Sequence, residues 1–141
     1  MLEAILLAAY LHRPPALVEA VFRAGGIDAV AVVEMESNFV PTAYRQEPRG
    51  HTSYGLFQID SEWHPQYRHD LTKHIAEGVR IYRECRGATM AEKVSHFNGG
   101  TYPGEYSKAW GRKVMAKRDE LRRWLRWRPV REMECVMGRE E

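Results

Sequence analysis

The stretch that decides the fold is EMESNFVPTAYRQEPRGHTSYGLFQIDS, residues 34–61. An apolar helical run ends at its start, a polar loop with proline and glycine follows, and the chain returns as SYGLFQI, residues 53–59. A carboxylate at the end of an apolar helix is partly desolvated, which raises its pKa and suits it to donate a proton. Glu36 is therefore the strongest catalytic candidate, although a solvated glutamate at a helix end is the structural alternative. Glu34 lies about 200° away around the helix, so we expect one of the two side chains to face solvent.

Composition and charge are those of one globular domain. The 141 residues are 44% hydrophobic and 28% charged, which allows a core and excludes wholesale disorder. The net charge of +2 makes the distribution of charge more informative than its sum. The apolar start, residues 2–11, carries Glu3 in place of a basic region and is predicted to be a helix rather than a signal peptide. Cys85 and Cys135 are expected to be free thiols, with pairing as the alternative.

Hydrophobic periodicity predicts a mainly α chain, with helices near residues 4–11, 16–24, 27–36, 71–83, 90–97 and 106–127. The segment 27–36 is apolar nearly all round, which predicts the central buried helix, with a strand as the alternative. Gly25 and Gly26 are expected to end the helix before it. Asp70 is a candidate N-cap, and Thr89 with Glu92 has the spacing of a capping box.

Two further boundaries are predicted from proline and glycine. Residues 42–54 carry turn signals and are expected to form a small hairpin or an irregular loop. Pro129 is expected to stop the last helix, because proline lacks the backbone N–H that a helix interior needs. The tail after it, residues 129–141, has no clear period.

Four motifs in this order resemble the lysozyme superfamily, and most closely its soluble lytic transglycosylase (SLT) domain. They are ESNF at 36–39 with GLFQI at 55–59, IAEGVRIY at 75–82, HFNGG at 96–100, and the start of a closing helix at 106–114. The resemblance covers roughly residues 14–125. It implies a lysozyme-like single domain over residues 1–128, mainly α or α+β, with a minor β-hairpin or loop near residues 43–54 and a tail over 129–141.

The resemblance implies that the chain cleaves the β-1,4 bond between N-acetylmuramic acid and N-acetylglucosamine in peptidoglycan, with Glu36 as the catalytic acid. Gln58 and Asn98 match family positions that hydrogen-bond the sugar, with a loop-bridging or capping amide as the structural alternative for each. The remaining candidate substrate contacts are Ser37, Ser53, Tyr54, Phe57, Phe97, Tyr102 and Tyr106.

Two departures from the family patterns bear on the reaction. Ser53 stands where c-type lysozymes place a second carboxylate, and a single glutamate is the pattern of lytic transglycosylases, which form a 1,6-anhydro sugar. Phe97 replaces the family's usual tyrosine, so any hydrogen bond from that hydroxyl must come from elsewhere, for which Tyr102 and Tyr106 are candidates. Hydrolysis by a muramidase is the alternative, with a second carboxylate drawn from Asp60, Glu62 or Glu47. A glycan-binding module without catalysis is the non-enzyme alternative.

The segment 108–128 holds nine lysines and arginines together with Trp110, Trp124 and Trp127. A solvated helix whose tryptophans pack on the core explains this composition. A surface that attracts the anionic cell wall or a membrane is the sharper alternative, and nucleic acid is not expected. The recurrence of His64, His69 and His74 every five residues does not place them on one helical face, so no metal is predicted.

These expectations describe a monomer that needs no cofactor or metal and acts on the glycan strands of the bacterial wall. A phage lysis or virion enzyme is the preferred setting, and a part of a secretion or pilus apparatus is the alternative.

Overall fold

The computed structural model describes residues 2–137, with side chains described as far as Trp127. This range is mainly helical and contains one small sheet, which confirms the predicted fold class. The helices and strands are α1 (Leu2–Leu11), α2 (Pro15–Ser37), β1 (Tyr44–Gln46), β2 (Thr52–Tyr54), β3 (Ile59–Asp60), α3 (Leu71–Glu84), α4 (Met90–Gly99) and α5 (Glu105–Met137). None of the helices in the described range is long and apolar enough to cross a membrane.

The second half of α2 is the central buried helix that the sequence predicts. Residues 29–33 are at most 2% exposed, and α2 contacts α1, α3 and α5. Each fully buried aliphatic side chain of this kind stabilises the fold by about 1.5–3 kcal/mol. The expected helix end at Gly25 and Gly26 is a kink instead. Gly26 adopts φ 70° and ψ −161° inside an otherwise continuous helix, a conformation that glycine reaches without steric cost.

The three strands form an antiparallel sheet in the order β1-β2-β3. β1 and β2 are the hairpin anticipated near residues 43–54, joined by a single 3₁₀ turn at Pro48–Gly50. In the registers, Ser53 pairs with Arg45 on one side and with Asp60 on the other. The third strand, β3, was too short to predict from the sequence.

The segment that returns after the hairpin, residues 55–59, is fixed against α3. Gly55 has φ 81°, and a Cβ there would lie 2.4 Å from the ring of His74. The backbone N–H of Phe57 donates to Nε2 of His74 at 3.1 Å, so Nδ1 carries the hydrogen that is donated to the Gln66 carbonyl at 2.7 Å. Burial lowers the pKa of His74, which favours this neutral form. His74 is therefore a structural residue.

Both predicted N-caps are present. The Asp70 carboxylate accepts from the N–H of Lys73, and the Thr89 hydroxyl accepts from that of Glu92. The predicted stop at Pro129 is wrong, since α5 continues to Met137. Proline costs a helix one hydrogen bond and crowds the carbonyl four residues earlier, and here that cost does not end the helix.

The described residues include only part of what was predicted for the two cysteines and the C-terminal tail. Cys85 is a buried free thiol that donates to the Ile81 carbonyl. The side chain of Cys135 and residues 138–141 lie outside the described residues.

Candidate active site

Glu36 lies at the end of α2, one residue before the helix terminates at Ser37. Its Oε1 accepts a hydrogen bond of 2.8 Å from the indole N–H of Trp110 on α5. Trp110 is half-buried and packs against the core, so the donor that reaches the carboxyl is held in place by packing. No ion pair to Glu36 occurs within the described residues. A single neutral donor therefore fixes this carboxyl group.

The environment of Glu36 raises its pKa from the usual 4.5 to about 7, mainly because burial disfavours the charged form. The hydrogen bond from Trp110 and the positive charge of Arg45 act to lower the pKa, and the negative charge of Glu47 acts to raise it. Burial prevails, so a substantial fraction of this carboxyl group is protonated near neutral pH. A pKa near the working pH suits a group that donates a proton in one step and accepts one in the next.

A second, ionised carboxylate lies on the hairpin. Oε1 of Glu47 accepts from Nε of Arg45 at 2.6 Å and from the hydroxyl of Ser53 at 2.8 Å. Partial burial opposes ionisation of Glu47, but these two hydrogen bonds and the charge of Arg45 outweigh it and lower the pKa. Glu36 and Glu47 are thus two carboxyl groups that act on each other electrostatically and whose pKa values are shifted in opposite directions. Such a divergence is typical of acid and base assignments in enzymes.

The start of α5 forms the other side of the site. Tyr106 is 72% exposed, one helical turn before Trp110, and acts electrostatically on Arg45 of the hairpin. Asn98, at the end of α4, accepts a hydrogen bond of 2.7 Å from the hydroxyl of Ser107 through its Oδ1. Its amide nitrogen donates no hydrogen bond within the described residues. The hairpin and the start of α5 therefore flank Glu36.

Three of the predicted substrate contacts, Ser37, Phe57 and Gln58, make contacts inside the protein instead. The Ser37 hydroxyl is buried and lies within hydrogen-bonding distance of the carbonyls of Leu56, at 2.8 Å, and Val33, at 3.1 Å. Its one hydrogen is used inside the protein, so its predicted role in binding is corrected to joining α2 to the returning segment. Phe57 is 0% exposed and packs where a Cβ on Gly78 would lie 2.2 Å from its ring. It is a core residue and cannot contact a substrate.

Gln58 also bridges the loop. Its side-chain nitrogen donates to the carbonyls of Ala43 at 3.0 Å and Gly55 at 2.9 Å, which uses both amide hydrogens. This is the structural alternative considered for this residue. The amide oxygen remains as the group with which Gln58 could accept a hydrogen bond from a sugar hydroxyl.

The other predicted contacts differ in exposure. Tyr54 is half-buried beneath the guanidinium of Arg68, which lies 4.6 Å from the ring centroid. Phe97 is partly buried and packs against the core. Tyr102 is 93% exposed, in the loop that joins α4 to α5. The structure brings Ser53 and Tyr106 into the surroundings of Glu36 through Glu47 and Arg45. Among the described residues, no hydrogen bond links Tyr54, Phe97 or Tyr102 to Glu36.

Glu34, two residues before Glu36, does not face solvent as expected. Both of its oxygens accept hydrogen bonds of 2.9 Å from the guanidinium of Arg13, and the residue is buried. Arg13 precedes the Pro14-Pro15 break, so this bidentate pair joins the α1–α2 connection to the last turn of α2. The neighbouring carboxylate is consequently structural.

One group of side chains within the described range could in principle hold a metal ion. His51, Asp60 and Glu62 offer ligand atoms within 4.8 Å of one another. The two ring nitrogens of His51 face different carboxylates, Nδ1 toward Asp60 at 2.7 Å and Nε2 toward Glu62 at 3.5 Å. Asp60 also accepts from the backbone N–H of Glu62. His51 therefore lies between two carboxylates. A metal site would instead need one imidazole nitrogen and both carboxylates directed at a common point.

The residues that sequence reasoning missed are the partners of Glu36. The sequence pattern indicates Trp110 only as part of a basic, aromatic helix, and it does not single out Arg45. The four-residue spacing of Tyr106 and Trp110 places both on one face of α5, and this was the available signal. No local pattern indicates that this face meets a residue 74 positions earlier in the chain.

Glu36 is thus a desolvated carboxyl group that can donate a proton, and the negative charge of Glu47 acts on it. No family model, curated protein or solved structure gives a significant match to the chain. The evidence on function is therefore the geometry of this site and the motif resemblance described above.

Proposed function

We propose that the protein is a peptidoglycan-degrading enzyme that cleaves the β-1,4 bond between N-acetylmuramic acid and N-acetylglucosamine as a lytic transglycosylase. The observation that carries this proposal is the desolvated position of Glu36, whose only hydrogen-bond partner in the described range is the neutral indole of Trp110, and this burial raises its pKa to about 7. A glycosidic bond breaks through an oxocarbenium-like transition state and needs a proton on its leaving oxygen. The residue that meets this need is the one on which the resemblance to the SLT domain places the catalytic role.

In the first step of the proposed reaction, Glu36 protonates the glycosidic oxygen. The bond from that oxygen to C1 of the muramyl residue breaks, and N-acetylglucosamine leaves with a free 4-hydroxyl. The muramyl 6-hydroxyl then attacks C1, and the Glu36 carboxylate takes the hydroxyl proton. The products are a 1,6-anhydro sugar and an enzyme that is protonated again, without consumption of water.

The hairpin supports this assignment over hydrolysis through a second carboxylate. The Oε1 atom of Glu47 is occupied by Arg45 and Ser53, at 2.6 and 2.8 Å. A carboxylate in such an ion pair is a poor nucleophile, since its charge is stabilised before the reaction begins. In the proposed reaction the charge of Glu47 raises the pKa of Glu36, and Glu36 alone donates and accepts the proton.

A hydrolytic muramidase is the second candidate, and one observation favours it. The Ser53 hydroxyl contacts Glu47, so a carboxylate is present at the hairpin position where c-type lysozymes carry their second acid. A water that is activated by the Glu36 carboxylate, with Glu47 stabilising the positive transition state, would give reducing ends. The same two residues are used in both candidates, so only the products separate them.

The test is mass analysis of the muropeptides released from purified peptidoglycan. We expect 1,6-anhydromuramyl ends, lighter by one water than hydrolysed ends. The Glu47→Gln variant should release the same anhydro product, because the hydrogen bond with Ser53 can persist with an amide. Reducing ends that disappear in Glu47→Gln would establish the hydrolytic candidate. Failure of the wild-type protein to release any muropeptide would refute both.

A further inference from the structure

A basic groove lies between α4 and α5, with a volume of about 520 Å³. Its polar lining comes from four regions: the loop before α4, α4 itself, the loop into α5, and the start of α5. The side chains that define this α4–α5 groove are Arg86, Glu92, His96, Tyr102, Lys108 and Arg112. The three basic side chains and the one carboxylate give the lining a formal charge of +2, which equals the net charge of the whole chain.

The groove is separate from the candidate active site. Lys108 and Arg112 each stand two residues from Trp110 on α5, about 200° around the helix from the indole that reaches Glu36. They therefore face away from that carboxyl group. Close contact between the helices supports the groove, since a Cβ on Gly111 would lie 2.1 Å from the Ala91 carbonyl oxygen.

The positive charges in the groove are little compensated by the protein. Within the described range, the guanidinium groups of Arg86 and Arg112 have no ion-pair partner. Lys108 lies 3.6 Å from Glu105, but the side chain of Glu105 is 87% exposed, so water screens this pair. The Glu92 carboxylate already accepts from the backbone N–H of Ala88 at 3.1 Å. Like charges around one concave surface repel each other unless an anion enters.

One of the groove donors, the imidazole of His96, is held in position. The backbone N–H of Arg86 donates to Nδ1 of His96 at 2.8 Å, which fixes the ring and leaves Nε2 as an N–H donor. The exposed ring of Tyr102 adds an aromatic face at the edge of the groove. The lining thus combines guanidinium forks, an imidazole donor and one aromatic face. Guanidinium forks match the oxygens of a phosphate group.

We propose that the α4–α5 groove binds a phosphodiester group of an anionic polyol-phosphate polymer of the bacterial wall. The choice of a wall polymer depends on the proposed peptidoglycan cleavage, since that activity takes the protein to the wall. A concave groove of this size admits a single flexible chain but not a flat bilayer or a duplex. Binding there holds the enzyme close to its substrate and raises the local concentration of glycan at Glu36.

The test measures binding of the wild-type chain to poly(glycerol phosphate) of defined length by titration calorimetry at two salt concentrations. We expect binding that weakens as salt rises, and an affinity at least about tenfold lower in the double variant Arg86→Gln, Arg112→Gln. The matched control is Arg123→Gln, Arg126→Gln, which removes two exposed arginines of α5 outside the groove and should leave the affinity nearly unchanged.

Three results would overturn the proposal: no binding by the wild type, equal weakening in both double variants, or equal or tighter binding to phosphatidylglycerol vesicles or to single-stranded oligothymidine. Cleavage of polymer-free peptidoglycan is measured separately and should be the same in wild type and Arg86→Gln, Arg112→Gln. A wild-type protein that cleaves peptidoglycan but does not bind the polymer refutes the groove proposal alone. Polymer binding without any cleavage refutes the proposed enzyme activity and leaves the groove as a binding site.

Discussion

Glu34 and Glu36 lie two residues apart on α2 and have opposite roles. Glu34 is buried in a bidentate ion pair with Arg13, at 2.9 Å through both oxygens. Glu36 is desolvated but receives only the neutral indole N–H of Trp110, at 2.8 Å. A carboxylate paired with a fixed cation is stabilised in its charged form, whereas a buried carboxyl with a neutral donor retains its proton. The difference shows that the partner, rather than burial alone, separates a structural glutamate from a candidate acid.

The largest expected effect separates the two glutamates by activity. Glu36→Gln removes the proton donor and should slow peptidoglycan cleavage at least ~100-fold. Glu34→Gln is the same substitution at a residue outside the site, and it should retain most activity at temperatures where it is folded. Turbidity loss of purified peptidoglycan measures both rates. Equal losses in the two variants would show that Glu36 has no special chemical role.

Glu36→Gln should lower activity but raise the stability of the fold at alkaline pH. Folding raises the pKa of Glu36 from 4.5 to about 7, so the folded state binds the proton more tightly than the unfolded chain does. The stability that this proton contributes is fully present below about pH 4.5 and is lost as the pH rises through about 7. Since one pKa unit corresponds to about 1.36 kcal/mol, Glu36→Gln should gain up to about 3 kcal/mol over wild type at pH 8 relative to pH 4. Urea unfolding at both pH values measures this, and a difference in stability between variant and wild type that is the same at pH 4 and pH 8 would contradict it.

Breaking the ion pair between Arg13 and Glu34 should destabilise the fold. Glu34→Gln leaves the Arg13 guanidinium without its carboxylate, and the two side chains are only 29% and 11% exposed. Some solvent reaches the pair, so we expect a loss of about 1–2 kcal/mol rather than the 3–5 kcal/mol of a fully buried pair. In urea unfolding, the double variant Arg13→Gln, Glu34→Gln should be no worse than either single variant. Additive losses would mean that the two residues act independently.

The smallest expected effects are shifts in the pH dependence of cleavage. A general acid works while protonated, so activity should fall as the pH rises through about 7. Trp110→Phe removes a hydrogen bond that lowers the pKa of Glu36, and the alkaline limb should move up by about half to one pH unit. Arg45→Gln should shift it in the same direction and Glu47→Gln in the opposite one, because their charges act on Glu36 with opposite signs. Shifts of the same sign in the Arg45 and Glu47 variants would exclude this electrostatic account.

The fold was largely predictable because its signals are local. The buried helix, the hairpin region and the caps at Asp70 and Thr89 all follow from periodicity and turn chemistry within a few residues. The prediction for Pro129 was wrong because a local cost to one hydrogen bond does not decide whether a long helix continues. The kink at Gly26 shows the same limit, since the sequence marks a break but not whether the helix resumes.

The candidate site was predictable only in part. Glu36 could be selected from its place at the end of an apolar run, and Ser53 from the returning segment. The roles of Ser37, Phe57 and Gln58 could not, because a hydroxyl, a ring or an amide beside a site can face either the ligand or the scaffold. In this chain the three face Leu56, Gly78 and Ala43, respectively.

The sequence by itself determined that the chain is mainly helical, that one helix is buried, and that this helix ends in a carboxylate next to a returning apolar segment. Only the tertiary structure decided which of the two glutamates is paired and which is protonated. Their partners, Arg13 and Trp110, lie 21 and 74 residues away along the chain. A pKa depends on the charges and donors that surround a group in space, and the sequence pattern around α2 does not contain them.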